Sequence, residues 1–489
     1  MNSSHVKSSN KNQVAIPNFK IEQSQKIDIT ANAGTFLFAE LTKRLDIIDS
    51  FAKLQIFERK RIGEAVHIFA LVLNQFTGGD AITDTKNIKR DDAFRTIFGD
   101  IHIPAPHTSG DFLERFTKEK IDTLRAILWK MQEKSLKKLS KRLQRKIIIS
   151  LDSSIYEVYG NCKENSSQSY KNLFGFYPLL LHIQHTGELL DIVFRAGAEF
   201  TATGADTMLE QNIVRLKPYF DEIILLADSG FFDKKIIQLC EREDINIKFI
   251  ITSELNQPIR RKLTSADTAW REPINSENDA EVPAGQRNSN TMNHRLLALK
   301  TALKKHGKAL KIRGELEVAE FQHTVSAWGK QYRFVFKRQR IKEQNLTDQA
   351  NFFENTEEFF YHGYVTNIHH DDATLESIIQ LIDSRGHQEN FIKDFKRGLG
   401  TVHIPTKHFF GNYTYFLISM LSWNLKCWLM DIIEPGLHVR WKRFRYLVVK
   451  VGAQIIKTGS YVVIRFGKGF GRVDDFRTWF SRLQAFNFA

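Results

Sequence analysis

Cysteine is scarce in this chain: Cys162, Cys240 and Cys427 are the only three, widely spaced and without a CxxC pair. That pattern excludes a disulfide framework and a cysteine-based zinc site, and it suits a reducing cytoplasm. The first 25 residues are polar and rich in Ser, Asn and Lys, and they lack the apolar stretch of a secretory signal. No apolar run of membrane length is unbroken. The longest, residues 416–433, is interrupted by Asn424 and Lys426 and closed by Asp431, so it reads as a buried helix and no membrane partner is expected. Internal repeats and a persuasive Ser/His/Asp order are also missing. The glycine-rich stretch 467–471 lacks the spacing of a phosphate loop or a dinucleotide fingerprint. His369-His370-Asp371 reads as a loop, since adjacent His side chains rarely face one ion. Acid is in deficit: 56 Asp and Glu stand against 70 Lys and Arg, a formal charge of +14, which favours a polyanionic partner.

What is present is ordinary for a globular protein, with 42% hydrophobic and 26% charged residues over 489 positions, enough for two or three domains. Residues 1–30 read as a flexible lead. Residues 31–145 have helical spacing. Within them, a helix over about 83–98, the break at Pro104 and Pro106, and a helix opened by Thr108-Ser109 fit either a DNA-reading helix-turn-helix or a plain helical bundle. The run from Lys134 to Lys146 has seven basic residues and no acid, among them Lys141, Arg142 and Lys146, and it leads straight into an apolar strand. That position suggests a track for a DNA backbone.

Periodicity then predicts strands at 147–152, 177–184 and 189–195, a helix at 206–217, a strand at 222–228, a helix at 232–243 and a fifth strand at 247–252. A three-strand meander followed by alternating helix and strand matches a ribonuclease-H-like α/β core over 146–253. Residues 254–357 read as a β-rich insertion: loop first, then a hairpin turning at Trp328-Gly329-Lys330. Residues 358–400 resume the core with a strand and a long helix, 375–396. Residues 401–489 hold an apolar helix and a basic region. Nine Lys and Arg and no acid fall in 437–472, where strands at 446–451 and 461–466 are expected to pair and expose Lys450, Arg465 and Lys468 to DNA.

Asp152 and Asp228 each stand at the exit of a predicted strand, and Glu389 lies on the long helix. Three carboxylates supply only oxygen ligands, which suits Mg²⁺, with Mn²⁺ as substitute, and suits phosphodiester chemistry. At about 100° per residue, Ile382, Arg385, Glu389 and Lys396 share one helix face, so two cations flank the acid and can grip phosphates.

The spacing Arg385, three residues, Glu389, six residues, Lys396 resembles the Y-R-E-K signature of DDE transposases of the insertion-sequence-four superfamily, with Ile382 where the signature has Tyr. Gly78-Gly79 with Arg90-Asp91, Asp152-Ser153, Gly175-Phe176-Tyr177-Pro178, Arg195-Ala196-Gly197, Asp228-Ser229-Gly230-Phe231 and Asn412 with Asn424-Leu425 are similar to the insertion sequence thirteen-eighty family. The resemblance implies a DDE triad of Asp152, Asp228 and Glu389. It implies an N-terminal helical DNA-binding region and a C-terminal region for end binding or assembly. The implied reaction cleaves the inverted-repeat ends of an insertion sequence and joins the 3′-hydroxyl to target DNA, with double-stranded DNA as partner and a homodimer in the synaptic complex. The implied location is bacterial, cytoplasmic and nucleoid-associated. Trp328, expected to be exposed in its turn, is the base-stacking candidate. A catalytically silent, transposon-derived DNA-binding protein and a ribonuclease-H-like nuclease are the alternatives.

Overall fold

The computed structural model describes residues 27–486 except 53–56, 58–61, 161, 274–315, 327, 341–358 and 460; the side chains of 48, 52 and 387–389 are likewise outside it. The architecture is mixed α/β. In chain order the strands are β1 (Ile29–Thr30), β2 (Lys146–Ser153), β3 (Tyr156–Glu157), β4 (Ser167–Gln168), β5 (Phe174–Phe176), β6 (Leu179–Ile183), β7 (Leu189–Val193), β8 (Glu222–Ala227), β9 (Lys248–Thr252), β10 (Leu316–Val325), β11 (Lys330–Arg340), β12 (Phe359–Thr366), β13 (Ala453–Thr458) and β14 (Tyr461–Phe466). The helices are α1 (Thr35–Arg44), α2 (Ile47–Ala52), α3 (Glu64–Thr77), α4 (Thr85–Arg90), α5 (Asp92–Ile97), α6 (Pro106–Glu114), α7 (Lys118–Arg142), α8 (Ala205–Leu216), α9 (Lys234–Glu241), α10 (Gln257–Leu263), α11 (Leu375–Asp383), α12 (Gln388–Gly398), α13 (Phe409–Ile433), α14 (Trp441–Phe444) and α15 (Val473–Ala485).

One eight-stranded sheet, ordered β10-β11-β12-β9-β8-β2-β6-β7, organises the molecule. β2 pairs in parallel with β8 and antiparallel with β6, and β8 pairs in parallel with β9. Alternation along β2 sends Ile147, Ile149 and Leu151 to a face covered by α8 and α9, while Ile148 joins Ile224, Leu226 and the α11 residues Ile378, Ile379 and Ile382 on the other face. Both strands are apolar on both sides because helices cover both sides.

The hairpin expected in a separate β-rich insertion is present, but β11 pairs with β12 and β12 with β9, so it extends the main sheet. The stretch read as loop after β9 contains α10: Asn256 caps it, its side chain accepting the Ile259 amide at 3.2 Å, and Pro258 sits in its first turn. Likewise Pro106 begins α6 where a break was expected, and Ser109 is buried inside the helix instead of capping it. The helix expected over 83–98 is two helices, because Asp91 leaves the helical region to cap α5. The proposed helix-turn-helix therefore does not have the expected elements.

Residues 29–30 are not part of a flexible lead; they pair with Gln454 and Ala453 of β13. The partner of β14 is β13 and not 446–451, of which residues 446–449 are helical. α13, apolar and long enough to cross a membrane, is the core of the helical body: it packs on α3, α6, α7, α15 and β7. Asn424 ties it to the sheet edge, its side chain accepting the Leu189 amide at 2.9 Å and donating to the Leu189 carbonyl at 2.8 Å, as a neighbouring strand would. N-terminal helices, α13 and α14 thus share one apolar core.

Candidate active site

Leu151 lies opposite Ala227 in the parallel β2/β8 ladder, so the next residues, Asp152 and Asp228, leave two neighbouring strands side by side. Their parity is that of Ile148 and Ile224, which directs both toward the α11 face of the sheet. The two carboxylates are held alike. One oxygen of each accepts a backbone amide: Asp152 Oδ1 from Ser153 at 2.7 Å, Asp228 Oδ1 from Gly230 at 3.0 Å. The other oxygen of each approaches one nitrogen of Arg385, at 3.6 Å from Asp152 Oδ2 and 3.5 Å from Asp228 Oδ2. Two acids that leave different strands therefore converge on one point.

Arg385 reaches that point because the expected long helix breaks. α11 ends at Asp383, residues 384–387 form a tight 3-10 turn, and α12 begins at Gln388. The Ser384 hydroxyl bonds back to the Leu381 carbonyl at 2.6 Å, and the Gln184 side chain donates to the Ser384 carbonyl at 2.6 Å, taking it out of the helical ladder. Gln184 in turn receives Ser150 of β2 at 3.1 Å, so the turn is pinned to the strand that ends in Asp152. Gly386 in the turn weakens continuous helix further. Because of this break Ile382 and Lys396 do not lie on one continuous helix face: Ile382 is buried in the core below the turn, where it cannot meet a phosphate. Glu389 is the second residue of α12, directly after the turn; its side chain lies outside the described residues.

Lys396, seven residues after Glu389, also comes to this end of the sheet. It donates to the Ile155 carbonyl and lies 4.4 Å from the centre of the Tyr156 ring. Burial pushes its ammonium down to about 8, an effect that the charge of Asp152 partly opposes. Asp152, Asp228, Arg385 and Lys396 are thus gathered, with the start of α12 beside them.

The other expected contacts are elsewhere. Arg142 pairs with Asp431 at 2.9 Å and Lys146 with Glu222 at 2.7 Å, while Lys141 is exposed at the end of α7. Lys146 opens β2, six residues from Asp152 and so about 20 Å away along the strand. The basic run feeds the wrong end of the strand to lead DNA to the acids. Lys450, Arg465 and Lys468 are exposed at the β13–β14 hairpin, in a sheet separate from the acids. Trp328 is half-buried instead of exposed: its ring lies 4.9 Å from Phe232 and 5.9 Å from Tyr332. His369, His370 and Asp371 do converge, with ligand atoms within 4.8 Å of one another, contrary to the spacing argument. They follow β12 near Lys248, at the sheet end opposite Asp228.

Residues of the motifs 175–178, 195–197 and 228–231 build the wall of the site. Tyr177 bonds through its hydroxyl to Thr201 at 3.2 Å, and burial raises its phenol above the usual range. Gly230, Gly175 and Gly197 are glycines because a Cβ would strike Thr201, the Tyr156 carbonyl and the Ser167 carbonyl respectively, at 2.7, 2.0 and 2.2 Å.

The family described as "Transposase DDE domain group 1" matches residues 20–487, nearly the whole chain. The chain belongs to the DDE transposases. Members of this family use divalent metal ions, which agrees with the all-oxygen character of the acid pair. No curated protein matches the transposase. Among solved structures it is similar to the piggyBac transposase synaptic complex with hairpin DNA, at TM-score 0.39 and 10% identity over 86% of this chain and 80% of that one.

Proposed function

We propose that this DDE transposase cleaves the inverted-repeat ends of its own insertion sequence and joins the freed 3′-hydroxyl to target DNA, with Asp152, Asp228 and Glu389 as the catalytic acids. The observation that carries the reading is the convergence of Asp152 and Asp228 from register-matched strand ends onto the turn that opens the Glu389 helix. The order β9-β8-β2-β6-β7, in which β6 alone runs against the other four, supports a ribonuclease-H-like core as the scaffold.

The donor set fits a hard divalent cation: each Asp has one oxygen fixed by an amide and the other aimed at a cationic group. Asp152, Asp228 and Glu389 would hold Mg²⁺, or Mn²⁺ in its place, which when bound activates the attacking oxygen and neutralises the leaving one. Arg385 and Lys396 supply fixed positive charge for the phosphates on either side of the reacting bond. Lys141, Lys450, Arg465 and Lys468 are solvent-facing cations suited to more distant stretches of duplex, with a second copy of the chain on the other end.

The test is cleavage of duplexes carrying the inverted repeats that flank the gene. Asp228→Asn and Glu389→Gln are each expected to abolish divalent-metal-dependent nicking while end binding persists. Nicking by either variant at the parent rate overturns the assignment. Joining of a 3′-hydroxyl end to plasmid DNA separates a transposase from a nuclease that only cuts.

A further inference from the structure

At the sheet end remote from the acids, the turn between β12 and α11 gathers side chains able to hold a metal of a different chemical kind. His369, His370 and Asp371 each offer one ligand atom, all within 4.8 Å of one another. Asp371 faces both rings: its Oδ2 lies 3.1 Å from His369 Nδ1 and its Oδ1 lies 3.6 Å from His370 Nε2. The two rings are 3.9 Å apart, centre to centre. Donors bound to one tetrahedral ion at about 2.0 to 2.1 Å stand about 3.3 Å from each other, and the two separations from acid to imidazole bracket that spacing.

The turn is held from beneath without any ion. Arg333 of β11 is buried, and its Nη1 donates to the Ile368 carbonyl, just before the cluster, at 3.2 Å and to the Ala373 carbonyl, just after it, at 2.9 Å. Glu320 fixes the other nitrogens of the same guanidinium at 2.8 and 2.6 Å. Within the turn, the amides of Asp372 and Ala373 both donate to the His369 carbonyl, at 3.1 and 3.2 Å. Thr374 then caps α11, its side chain accepting the Ser377 amide at 3.2 Å. A buried cation thus closes both ends of the segment 368–373, whose three donor side chains are exposed, so little conformational freedom is left to lose on binding. Asp372 turns elsewhere, toward Lys248 at 3.8 Å.

We propose that His369, His370 and Asp371 bind a borderline divalent ion of the Zn²⁺ or Co²⁺ kind, at a site separate from the acid pair. Two imidazole nitrogens select against Mg²⁺, which takes oxygen donors, and three protein ligands leave the remaining coordination positions to water. The ion ties the turn that opens α11. That helix runs nine residues, about 13 Å, before the turn that carries Arg385, so the ion acts on stability and not on the reacting phosphate.

The experiment uses the full chain carrying Asp152→Asn and Asp228→Asn, so that the acid pair does not compete, freed of metal by chelation and kept in excess Mg²⁺. Co²⁺ is titrated in and followed by the visible absorption of the bound ion, with Zn²⁺ as competitor. Saturable Co²⁺ binding, displacement by Zn²⁺ and a higher melting temperature with Zn²⁺ present are expected. Adding His369→Ala and His370→Ala should weaken Co²⁺ binding by at least the tenfold to hundredfold, roughly, that loss of a mere supporting partner costs a metal site, and should remove the Zn²⁺ effect on melting. Asp371→Asn should weaken binding in the same direction. Because the three side chains are exposed, the metal-free melting temperature of each variant should match that of its parent, and His370→Gln replaces any variant that melts lower. Equal Co²⁺ binding with and without the two imidazoles, no saturable binding in the parent, or suppression of binding by Mg²⁺ overturns the proposal.

Discussion

The two ends of β2 hold opposite kinds of charge and treat it differently. At the start, Lys146 meets Glu222 at 2.7 Å, Lys248 meets the same carboxylate at 3.0 Å, and Arg145 meets Asp221 at 2.8 Å. At the finish, two carboxylates share one guanidinium nitrogen at 3.5 and 3.6 Å, beyond good hydrogen-bond length. Charge at the start is paired acid to base at contact distance, while the two acids at the finish converge on one shared cation at longer range. A basic run in sequence is therefore a poor guide to where a polyanion binds; what counts is whether the fold has already supplied each cation with an acid.

The strongest way to break this contrast is at the finish. Asp152→Asn or Asp228→Asn is expected to lower metal-dependent nicking on the order of a thousandfold or more, since groups that act as one unit fail together. Thermal unfolding should be unchanged or slightly higher, because each variant removes one of two neighbouring like charges. A large fall in melting temperature would instead make these acids structural.

Arg385→Ala comes next. It leaves both acids and the turn in place but removes the fixed positive charge between them, and is expected to slow nicking roughly tenfold to a hundredfold. Arg385→Lys should recover part of the loss, since an ammonium keeps the charge but not the planar fork. A single-turnover rate, with DNA binding measured separately, assigns the loss to the chemical step or to affinity.

Lys396 gives a pH-dependent test. Its ammonium titrates at about 8 in the folded chain, from an ordinary 10.5. Nicking at subsaturating DNA should therefore fall as pH rises through about 8, and Lys396→Arg should flatten that fall because a guanidinium stays charged. Stability moves the other way: between about 8 and the ordinary lysine value the unfolded chain keeps a proton that the folded chain has released, so this group's contribution to stability rises with pH. An identical alkaline limb in the Arg variant would remove Lys396 from the site.

Much of this end of the molecule was legible because it depends on local patterns. Apolar runs closed by Asp152 and Asp228 are strands in any context that buries them, and parallel pairing then sets the acids together. What was not legible depends on contacts distant in sequence. The break between α11 and α12 is made by Gln184, two hundred residues upstream, taking the Ser384 carbonyl. Prolines 106 and 258 alone do not tell a helix end from a helix start, because a proline ring suits either, and only the extended cap residues Ala105 and Asn256 show that a helix begins at each. The hairpin joined the main sheet because β9 has a free edge that β12 fills, which no periodicity in β10 or β11 records. Glycines 175, 197 and 230 were visible as motifs, but their reason is backbone or side chains brought from other segments.

The smallest effects are expected where the contrast says function is absent. Arg142 spans from α7 to Asp431 of α13 with bonds of 2.9 and 3.1 Å, and both side chains are partly exposed, at 31% and 24%. Arg142→Ala should cost about 1 kcal/mol or less in urea unfolding, as solvent-screened pairs do. Lys146→Ala should cost less still, because Lys248 remains on Glu222 and keeps that carboxylate paired. Neither should change the nicking rate beyond twofold, since both groups are spent on the sheet end remote from Asp152. A nicking defect in Arg142→Ala with unfolding unchanged would mean that the ion pair opens to take DNA, and that the two ends of β2 are less different in use than they are in structure.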